Sequence, residues 1–431
     1  MKQPSWVERL PAGWRPHRLR HVADISNSNV DKKSYDDGHP VRLCNYTDVY
    51  YNDFITDDME LMAATASGQE IRRFQLRPGD VIITKDSESW DDIAVPACVA
   101  EELTNVVCGY HLSLFRPSKG RIDGRFLLRA LQAQGIREQF WTAANGVTRF
   151  GLGQQGMKDA LLPVPPLATQ KAIADFLDRK TAAIDALIEK KQKLLDLLAE
   201  KRAALINQAV TKGLDPNVPM KDSGIPPLGT VPQHWKVVRN KVLVREVVDL
   251  SQTGDEELLT VSHITGVTRR SEKDVTMFLA ATNVGYKKVH PGDLVINTMW
   301  AWMGALGTSA DTGIVSPAYG VYRLDRQEME PRYFDLLYRT PQYVVEMTRY
   351  SKGVWSSRLR LYPESFLGLL VPVPPLTEQR RILEVIEQEV GSFPATMQRL
   401  SDSISRLQEY RQALITAAVT GQLDIGEEDA L

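Results

Sequence analysis

The stretch that decides the fold occurs twice in this chain. Residues 163–215 read PVPPLATQKAIADFLDRKTAAIDALIEKKQKLLDLLAEKRAALINQAVTKGLD, and residues 372–424 read PVPPLTEQRRILEVIEQEVGSFPATMQRLSDSISRLQEYRQALITAAVTGQLD. With a constant shift of 209 residues, 19 positions are identical. A repeat of this length indicates that the protein is built from two copies of one structural unit.

Each copy predicts a long helix with one apolar stripe, spaced alternately by four and three residues as in a coiled-coil seam. The seam positions of the first copy are Ile184, Ile188, Lys191, Leu195, Leu198, Arg202, Leu205 and Ala209, and those of the second are Phe393, Met397, Leu400, Ile404, Leu407, Arg411, Leu414 and Ala418. Such a stripe usually packs against the helix's own domain. Residues 173–211 would, however, form a helix about 58 Å long, which exceeds the width of a small domain. We therefore expect the two copies to pair with each other.

Three features of these stretches depart from a regular helix pair. Arg202 and Arg411 interrupt the seams, where they either pair with carboxylates and fix the register or extend to solvent. Pro394 predicts a kink or break in the second helix, which then restarts in register. Pro166 and Pro375 come just before the helices and predict stiff junctions.

The segment between the copies indicates how the helices run. Residues 213–232 are rich in Pro and Gly and lack periodicity, which is typical of a linker. Fully extended, the linker spans about 65 Å, so parallel helices would stretch nearly all of it, whereas antiparallel helices leave it slack. We predict an antiparallel two-helix coiled coil that separates two globular domains related by a pseudo-twofold axis.

Upstream of each helix the copies share further features. Both start with a Pro, a Trp and a basic stretch, at residues 10–20 and 230–241. RPGDVIITK (77–85) and HPGDLVINT (290–298) each predict a turn followed by a buried strand. Alternating strands at 110–117 and 319–325 and a short helical pattern follow. The fold class is therefore α+β, with two globular α/β domains and an internal duplication.

Composition sets wider limits on class and compartment. The 431 residues are 43% hydrophobic and 25% charged, an ordinary globular balance, and the net charge of −2 gives no general sign of nucleic-acid binding. Cys44, Cys98 and Cys108 are unclustered and indicate neither disulfides nor a metal site. No run of eighteen apolar residues and no signal-peptide pattern is present in the sequence. We expect a soluble, cytoplasmic protein.

This arrangement resembles the specificity subunit of type I restriction-modification systems. The resemblance is carried by PxPPLxxQ at residues 163–170 and 372–379, by the Pro-Gly-Asp turns at 78–80 and 291–293, and by the matched helix endings. It implies that each globular domain is a target recognition domain reading one half of a split sequence in double-stranded DNA. The helices would hold the half-site centres on the order of one to two DNA turns apart and bind two methyltransferase subunits, to which restriction/translocase subunits are added.

The resemblance also implies that this subunit is non-catalytic and binds no cofactor or metal. S-adenosylmethionine, ATP and Mg are expected on the partner subunits, and the assembled complex would be an adenine-N6 DNA methyltransferase and ATP-dependent endonuclease. The implied division of the chain is 1–166 and 233–375 for the recognition domains, 167–212 and 376–422 for the spacer helices, 213–232 for the linker and 423–431 for an acidic tail.

Candidate DNA contacts come from local charge. Residues 347–363 carry basic side chains among aromatic ones and no acid: Arg349, Lys352, Arg358 and Arg360 together with Trp355. In the first copy, Lys119, Arg121 and Arg149 belong to a basic region, and GVTRF (146–150), which includes Thr148, aligns with residues 353–358. Arginine can bind guanine through two hydrogen bonds, and Lys or Arg can bind backbone phosphates. For any one of these residues the alternative is a solvated basic face.

Other patterns argue against different functions. GLGQQG at 151–156 matches a dinucleotide-binding pattern, but it has no clear strand before it and no room for a phosphate-binding helix after it. Asp80, Asp86 and Glu88 resemble a nuclease metal cluster, but the second copy does not repeat the charges. The open alternatives are a stand-alone DNA methyltransferase or nuclease, for which no catalytic motif is found, and a coiled-coil scaffold that binds only proteins.

Overall fold

The computed structural model describes residues 4–36, 38–273, 282–355 and 358–425. The chain forms two compact units, Met1–Gln192 with Ser401–Leu431, and Lys193–Leu400. The division falls inside both long helices. The expected acidic tail lies, from residue 426 onward, outside the described residues.

The first unit is a mixed α/β domain. Its strands are β1 (Arg15–Arg18), β2 (Ala23–Asn27), β3 (His39–Cys44), β4 (Phe54–Ile55), β5 (Met62–Ala66), β6 (Val81–Thr84), β7 (Asp86–Ser87), β8 (Pro96–Val99), β9 (Val106–Cys108), β10 (Leu112–Pro117), β11 (Ala144–Gly146), β12 (Phe150–Leu152) and β13 (Leu161–Val164). Its helices are α1 (Tyr46–Tyr50), α2 (Gly68–Phe74), α3 (Gly124–Gln132), α4 (Gln134–Ala143), α5 (Gln154–Asp159) and the start of α6 (Leu167–Lys212).

Three sheets form the body of this unit. The largest has the order β2-β10-β6-β8-β4 and is antiparallel except for the β4–β8 pair. A smaller sheet, β5-β3-β9, packs through its own apolar cluster, and β11-β12-β7 forms a third. The main core lies between the large sheet and the helices, with Phe115, Phe126 and Phe140 fully buried. The buried β6 strand is the one that the sequence predicts after the Pro-Gly-Asp turn.

The second unit repeats this plan with a reduced set of strands. Its strands are β14 (Met220–Asp222), β15 (Thr230–Pro232), β16 (Lys236–Arg239), β17 (Val244–Glu246), β18 (Leu259–Ser262), β19 (Gly266–Arg269), β20 (Lys287–Val289), β21 (Leu294–Ile296), β22 (Leu306–Thr308), β23 (Gly313–Val315), β24 (Gly320–Leu324) and β25 (Leu370–Val373). Its helices are α7 (Pro331–Tyr338), α8 (Pro341–Tyr350), α9 (Pro363–Gly368), α10 (Leu376–Val390) and the start of α11 (Phe393–Val419). The sheet order β17-β24-β21-β22 matches β2-β10-β6-β8 of the first unit.

The Pro-Gly-Asp turns have a structural role in both units. Asp80 is buried and accepts hydrogen bonds from the Arg77 backbone N–H, at 3.0 Å, and from two guanidinium nitrogens of Arg116, at 3.0 and 2.8 Å. Asp293 likewise accepts hydrogen bonds from the His290 backbone N–H and from two guanidinium nitrogens of Arg323. The carboxylate thus closes the turn and ties it to the neighbouring strand. Among the described residues no group of acidic, His or Cys side chains could hold a metal ion.

The glutamine of PxPPLxxQ explains that motif. Gln170 is fully buried; its side-chain oxygen accepts from Asp123 N at 2.8 Å, and its nitrogen donates to the carbonyls of Arg121 and Pro165 at 3.0 and 2.8 Å. Gln379 makes the same three bonds, with Glu330 N and with the carbonyls of Glu328 and Pro374. Each glutamine therefore joins the first turn of a spacer helix to the start of α3 or α7.

The linker is more ordered than its composition suggests. The strands β14 and β15 form a ribbon, and Ile225, Leu228 and Val231 are buried in the core of the second unit. Lys212 Nζ donates to the carbonyls of Leu228 at 3.1 Å and of Thr230. The three apolar residues have no helix or strand period, which is why the sequence shows only an aperiodic segment.

The long helices show the stripe that the sequence predicts. α6 has 46 residues and therefore extends about 69 Å along its axis. The seam residues of the first copy are buried at Ile184, half-buried at Ile188, Leu195, Leu198 and Leu205, and exposed only at Arg202. In the second copy Ile404 is buried, and Phe393, Met397, Leu400, Leu407, Arg411 and Leu414 are half-buried. The residues between them are mostly exposed, so the predicted seam positions lie on the buried side of each helix.

Each unit contains the beginning of one long helix and the end of the other. In the first unit, Ile173 and Leu177 of α6 share a core with Ile415 and Val419 of α11. In the second, Val210 near the end of α6 shares a core with α10. This is the antiparallel arrangement expected from the sequence. The second helix is broken as expected, because α10 ends at Val390 and α11 begins at Phe393, with Pro394 in its first turn.

The seam arginine of α11 belongs to an ion network of the first unit. Arg411 Nη2 lies 2.7 Å from Asp53 Oδ2, and its Nε lies 2.9 Å from Asp185 Oδ1 on α6. Arg129 of α3, only 1% exposed, contacts Asp53 at 2.7 Å and Asp178 of α6 at 2.8 Å. Burial alone would raise the pKa of Asp53, but Arg129 and Arg411 offset burial and hold that pKa below its ordinary value. Carboxylate pairing, one of the two alternatives left open by the sequence, therefore applies to Arg411, whereas Arg202 is exposed.

Candidate nucleic-acid interface

The basic GVTRF segment forms an exposed hairpin on the first domain. β11 and β12 pair antiparallel around a tip at residues 147–149, where Val147 is 92% exposed and Thr148 and Arg149 are also exposed. A Cβ on Gly146 would lie 2.0 Å from the Arg149 carbonyl oxygen, so the tip can turn back this tightly only with glycine. The three-residue tip therefore projects its side chains away from the sheet.

The second domain carries a similar exposed hairpin at the aligned position. Lys352 and Arg360 pair through two backbone hydrogen bonds of 2.9 Å, and Val354 at the tip is again 92% exposed. A Cβ on Gly353 would lie 2.6 Å from the Arg358 carbonyl oxygen. Residues 356–357 lie outside the described part of the chain. The alignment of GVTRF with residues 353–358, inferred from letters alone, therefore corresponds to one structural element.

Both hairpins are attached to the strand that follows the Pro-Gly-Asp turn. Leu152 N donates to Lys85 O at 2.8 Å, and Leu361 N donates to Thr298 O at 3.0 Å. Lys85 and Thr298 are the last residues of the two turn-strand segments that the sequence aligns. The turn, the buried strand and the hairpin thus form one continuous support, which fixes the position of each tip on its domain.

Polar groups that the sequence did not single out surround the first hairpin. β7 pairs with β12, and Asp86 of β7 lies 2.9 Å from His111 Nδ1. Arg149 Nη2 lies 3.5 Å from the same His111 nitrogen. From sequence, Asp86 resembled part of a metal cluster that the second copy does not repeat, and His111 carried no expected role. The signal that could have found them is their place in two aligned stretches: Asp86 comes two residues after the end of β6, and His111 comes directly before β10.

Exposed aromatic side chains surround the second hairpin. Trp355 is 68% exposed, and Lys352 Nζ lies 5.9 Å above the Tyr362 ring. Trp300 and Trp302 stack with ring centroids 6.1 Å apart, and Trp300 is exposed. Neither tryptophan is among the candidate contacts expected from sequence, although both directly follow the Pro-Gly-Asp strand in the letters TMWAW. Exposed aromatic faces beside cations are typical of nucleic-acid surfaces.

Of the predicted basic residues in this domain, Arg349 has a different environment from the others. Its guanidinium lies 2.7 Å from Glu346, a buried carboxylate three residues earlier in α8. Arg349 therefore neutralises a buried charge, which is a structural task. Arg358 and Arg360 are exposed, and within the described residues neither forms an ion pair.

Lys119 and Arg121 lie away from the hairpin of their own domain. They follow the Pro117 end of β10, whereas the hairpin is attached near the Leu112 end, next to Thr84. Six strand residues separate these ends by about 20 Å. Arg121 also donates to His21 O at 3.0 Å. The structure therefore brings Thr148 and Arg149 together but places Lys119 and Arg121 at the other end of the sheet.

The GLGQQG segment spans the end of β12 and the start of α5. A strand and a helix are thus both present, contrary to the expectation from sequence, but they are three and six residues long. Gly153 is the N-cap residue of α5 and Met157 of that helix is buried. The segment links the hairpin back to the domain.

The structure therefore defines a duplicated α+β protein in which each domain presents one exposed, basic hairpin. The description of the family model that matches residues 11–196 is type I restriction modification DNA specificity domain. A curated relative, the type I restriction enzyme EcoBI specificity subunit of Escherichia coli, is 24% identical over 381 residues, which cover 83% of this chain and 76% of the relative.

A solved structure agrees along nearly the whole length. It comes from a study of complex assembly and conformational transition of the type I R-M system, with a TM-score of 0.64 and 18% identity over 96% of this chain and 99% of that one. The chain is thus similar to a type I restriction modification DNA specificity domain over residues 11–196, and it shares its fold with this solved structure over nearly its whole length. Specificity subunits are non-catalytic. None of the helices formed by the described residues is long and apolar enough to cross a membrane.

Proposed function

We propose that each domain of this specificity subunit reads one half of a bipartite target in double-stranded DNA, and that its hairpin supplies the base contacts. The major groove of B-DNA admits a two-stranded β-ribbon, and arginine is the side chain that most often contacts guanine there. Arg149 lies at the tip of the first hairpin and Arg358 at the tip of the second. The observation that carries the proposal is the recurrence of this exposed hairpin, on the same support, in both copies.

The helices have the roles of spacer and docking site in this proposal. α6 is continuous over 46 residues, and Leu187, Leu194 and Leu197 are exposed on it outside the seam. Exposed apolar side chains in a row are typical of protein interfaces. We assign them to two methyltransferase subunits, with restriction/translocase subunits joining the complex in the cytoplasm. S-adenosylmethionine, ATP and Mg would bind the partners, and the assembly would act as an adenine-N6 methyltransferase and ATP-dependent endonuclease.

Adenine methylation in cells that carry this chain and its methyltransferase tests the reading role. The wild type should methylate a motif with two separated halves. Arg149→Ala should relax the sequence preference in one half of the motif, and Arg358→Ala should relax it in the other half. Each variant removes one base contact, which contributes about 1–3 kcal/mol of discrimination against the wrong base. Lys119→Ala, at the far end of the sheet, is the control and should leave both halves unchanged.

Other outcomes separate the competing functions. Methylation by the purified chain without a partner would favour a stand-alone methyltransferase. Indifference to DNA, both alone and with the partner, would favour a scaffold that binds only proteins. If both hairpin variants kept the full motif, the hairpins would not be the reading elements.

The spacer role has its own test. One heptad inserted after Gln192 and one after Leu400, the points where the two units divide, would lengthen both helices by about 10.5 Å. Since DNA rises about 3.4 Å per base pair, the unspecified gap of the motif should grow by about three base pairs. A gap of unchanged length would refute the role of the helices as the spacer.

A further inference from the structure

A basic groove lies along the β2 edge of the large sheet of the first domain. Its volume is about 530 Å³, and it is lined by Asp24 of β2, by Arg72 and Arg73 of α2, by Arg116, and by Gln154 and Lys158 of α5. The sequence does not indicate this groove, because its cations come from three segments that are each more than 40 residues from the next. The groove lies within the first unit.

The charges of the groove are unbalanced. Arg116 is already bound to Asp80 and to the Gln75 carbonyl at 2.8 Å, so it is not available to a ligand. Arg72, Arg73 and Lys158 form no ion pair with any described residue. Asp24 is the acidic side chain among the lining residues. Three available cations therefore face one carboxylate, which favours an anionic ligand with more than one charge.

The cations are carried by well-anchored elements. α2 begins with a capping box between Ser67 and Glu70 and ends with the buried Phe74. α5 is tied to the edge strand β2 because Gln154 Nε2 donates to the Ile25 carbonyl at 2.8 Å. Each cation therefore starts from a fixed backbone position, so a repeated set of phosphates can be met with little ordering cost.

One side of the groove, formed by α5, adjoins the base of the hairpin. α5 begins two residues after Leu152, the hairpin residue that is bonded to Lys85. Lys85 Nζ in turn donates to the Ser28 carbonyl, at 3.3 Å, one residue beyond the end of β2. A duplex that presents its bases to the hairpin would pass its sugar-phosphate backbone over this side of the domain.

We propose that this groove binds backbone phosphates of the DNA that the first hairpin reads. The inference rests on the proposed function, and it assigns the sequence-independent part of the first half-site. At the aligned positions of the second domain, Glu364 and Leu367 of α9 replace Gln155 and Lys158. Lys158 therefore has no basic counterpart at the aligned position of α9.

The test measures how DNA affinity depends on salt for the complex of the full chain with its methyltransferase partner. The probes are a duplex with the methylated motif and a duplex with that motif scrambled. The variant Arg72→Ala/Arg73→Ala/Lys158→Ala is compared with Arg9→Ala/Arg15→Ala/Lys33→Ala, which removes the same charge from exposed positions of the same unit. Arg72→Lys/Arg73→Lys retains the charges.

The groove variant should lower the slope of log K against log salt by about 0.9 for each lost phosphate contact. The groove variant should lower the affinity for both duplexes by the same factor, since phosphates carry no sequence information. The control and the lysine variant should keep the wild-type slope.

Three results would overturn the inference. If the wild type discriminates the motif but the groove variant keeps the full slope, the groove inference alone fails. If the control loses as much slope, general charge and not the groove is responsible. If the groove variant loses its methyltransferase subunit while its DNA slope is unchanged, the groove docks protein. Failure of the wild type to prefer its motif would instead refute the proposed function itself.

Discussion

Removing Arg129 should destabilise the first domain more than removing any exposed arginine. Its guanidinium is 1% exposed and lies 2.7 Å from Asp53 and 2.8 Å from Asp178. Loss of one partner from a buried ion pair costs about 3–5 kcal/mol, since the remaining charge stays buried. Here each carboxylate keeps a second cation, Arg411 at 2.7 Å from Asp53 and Arg125 at 3.3 Å from Asp178. We therefore expect Arg129→Met to cost about 3 kcal/mol, the lower end of that range.

Calorimetry of the full chain measures this loss. For a unit of this size a loss of 3 kcal/mol lowers the Tm by about 6–12 °C. Hydrogen exchange in α3 and α11 shows whether the lost stability is that of the first unit. Arg18→Met is the matched control, because its pair with Asp159 is largely exposed and should contribute less than about 1 kcal/mol.

Acid pH gives a second, independent readout of the same network. The pKa of Asp53 lies below its ordinary value, so its contribution is fully present above the ordinary carboxyl pKa and is lost as pH falls through the folded value. The stability difference between wild type and Arg129→Met should therefore shrink below about pH 4. Arg129→Met/Asp53→Asn/Asp178→Asn should recover part of the loss, because no buried charge then remains unpaired. A loss below 1 kcal/mol at neutral pH, or one independent of pH, would refute this reasoning.

Three further substitutions test single contacts. Gln379→Leu removes three buried hydrogen bonds and should cost about 2–3 kcal/mol in urea unfolding, and a value near zero would contradict the role assigned to the motif. Tyr333→Phe removes one bond, of 2.7 Å to the Val210 carbonyl, and should cost about 1 kcal/mol by the same measurement. Gly353→Ala forces the second hairpin to open at Arg358; methylation sequencing should show the second half of the motif relaxed and the first half kept, and loss of both halves would contradict this.

The sequence predicts the scaffold well because the scaffold obeys short-range rules. The seven-residue period places Ile184 and Ile404 on the buried side, since one helix face repeats at a fixed spacing. The Pro-Gly-Asp sequence predicts the turn, and the apolar run after it predicts the buried strand. The break at Pro394 follows from the ring, which cannot continue a helix.

Partners distant in sequence could not be predicted. Nothing near Arg411 indicates that its carboxylate is Asp53, which lies 358 residues away. Arg349 looked available because residues 347–363 contain no acid, yet Glu346 comes one residue earlier and is buried by tertiary packing. The helical pattern after the strand at residues 110–117 contains a break that the sequence does not indicate, because an extended Ala133 divides it into α3 and α4. These outcomes depend on packing, which local spacing does not encode.

The contacts that recur in both domains and the contacts that differ have separate locations. The recurring ones are internal: the glutamine that joins helix and domain, the aspartate of the turn, the glycine at the hairpin and the bond that attaches it. The differing ones are exposed at the hairpins, where Thr148 and Arg149 with His111 in one domain are replaced by Trp355 and Arg358 with Trp300 in the other. Two domains with identical hairpin side chains would recognise the same half-sequence twice. Because the internal contacts are repeated while the exposed hairpin side chains are not, the two halves of the target should differ in sequence. A methylated motif with two identical halves would contradict this prediction.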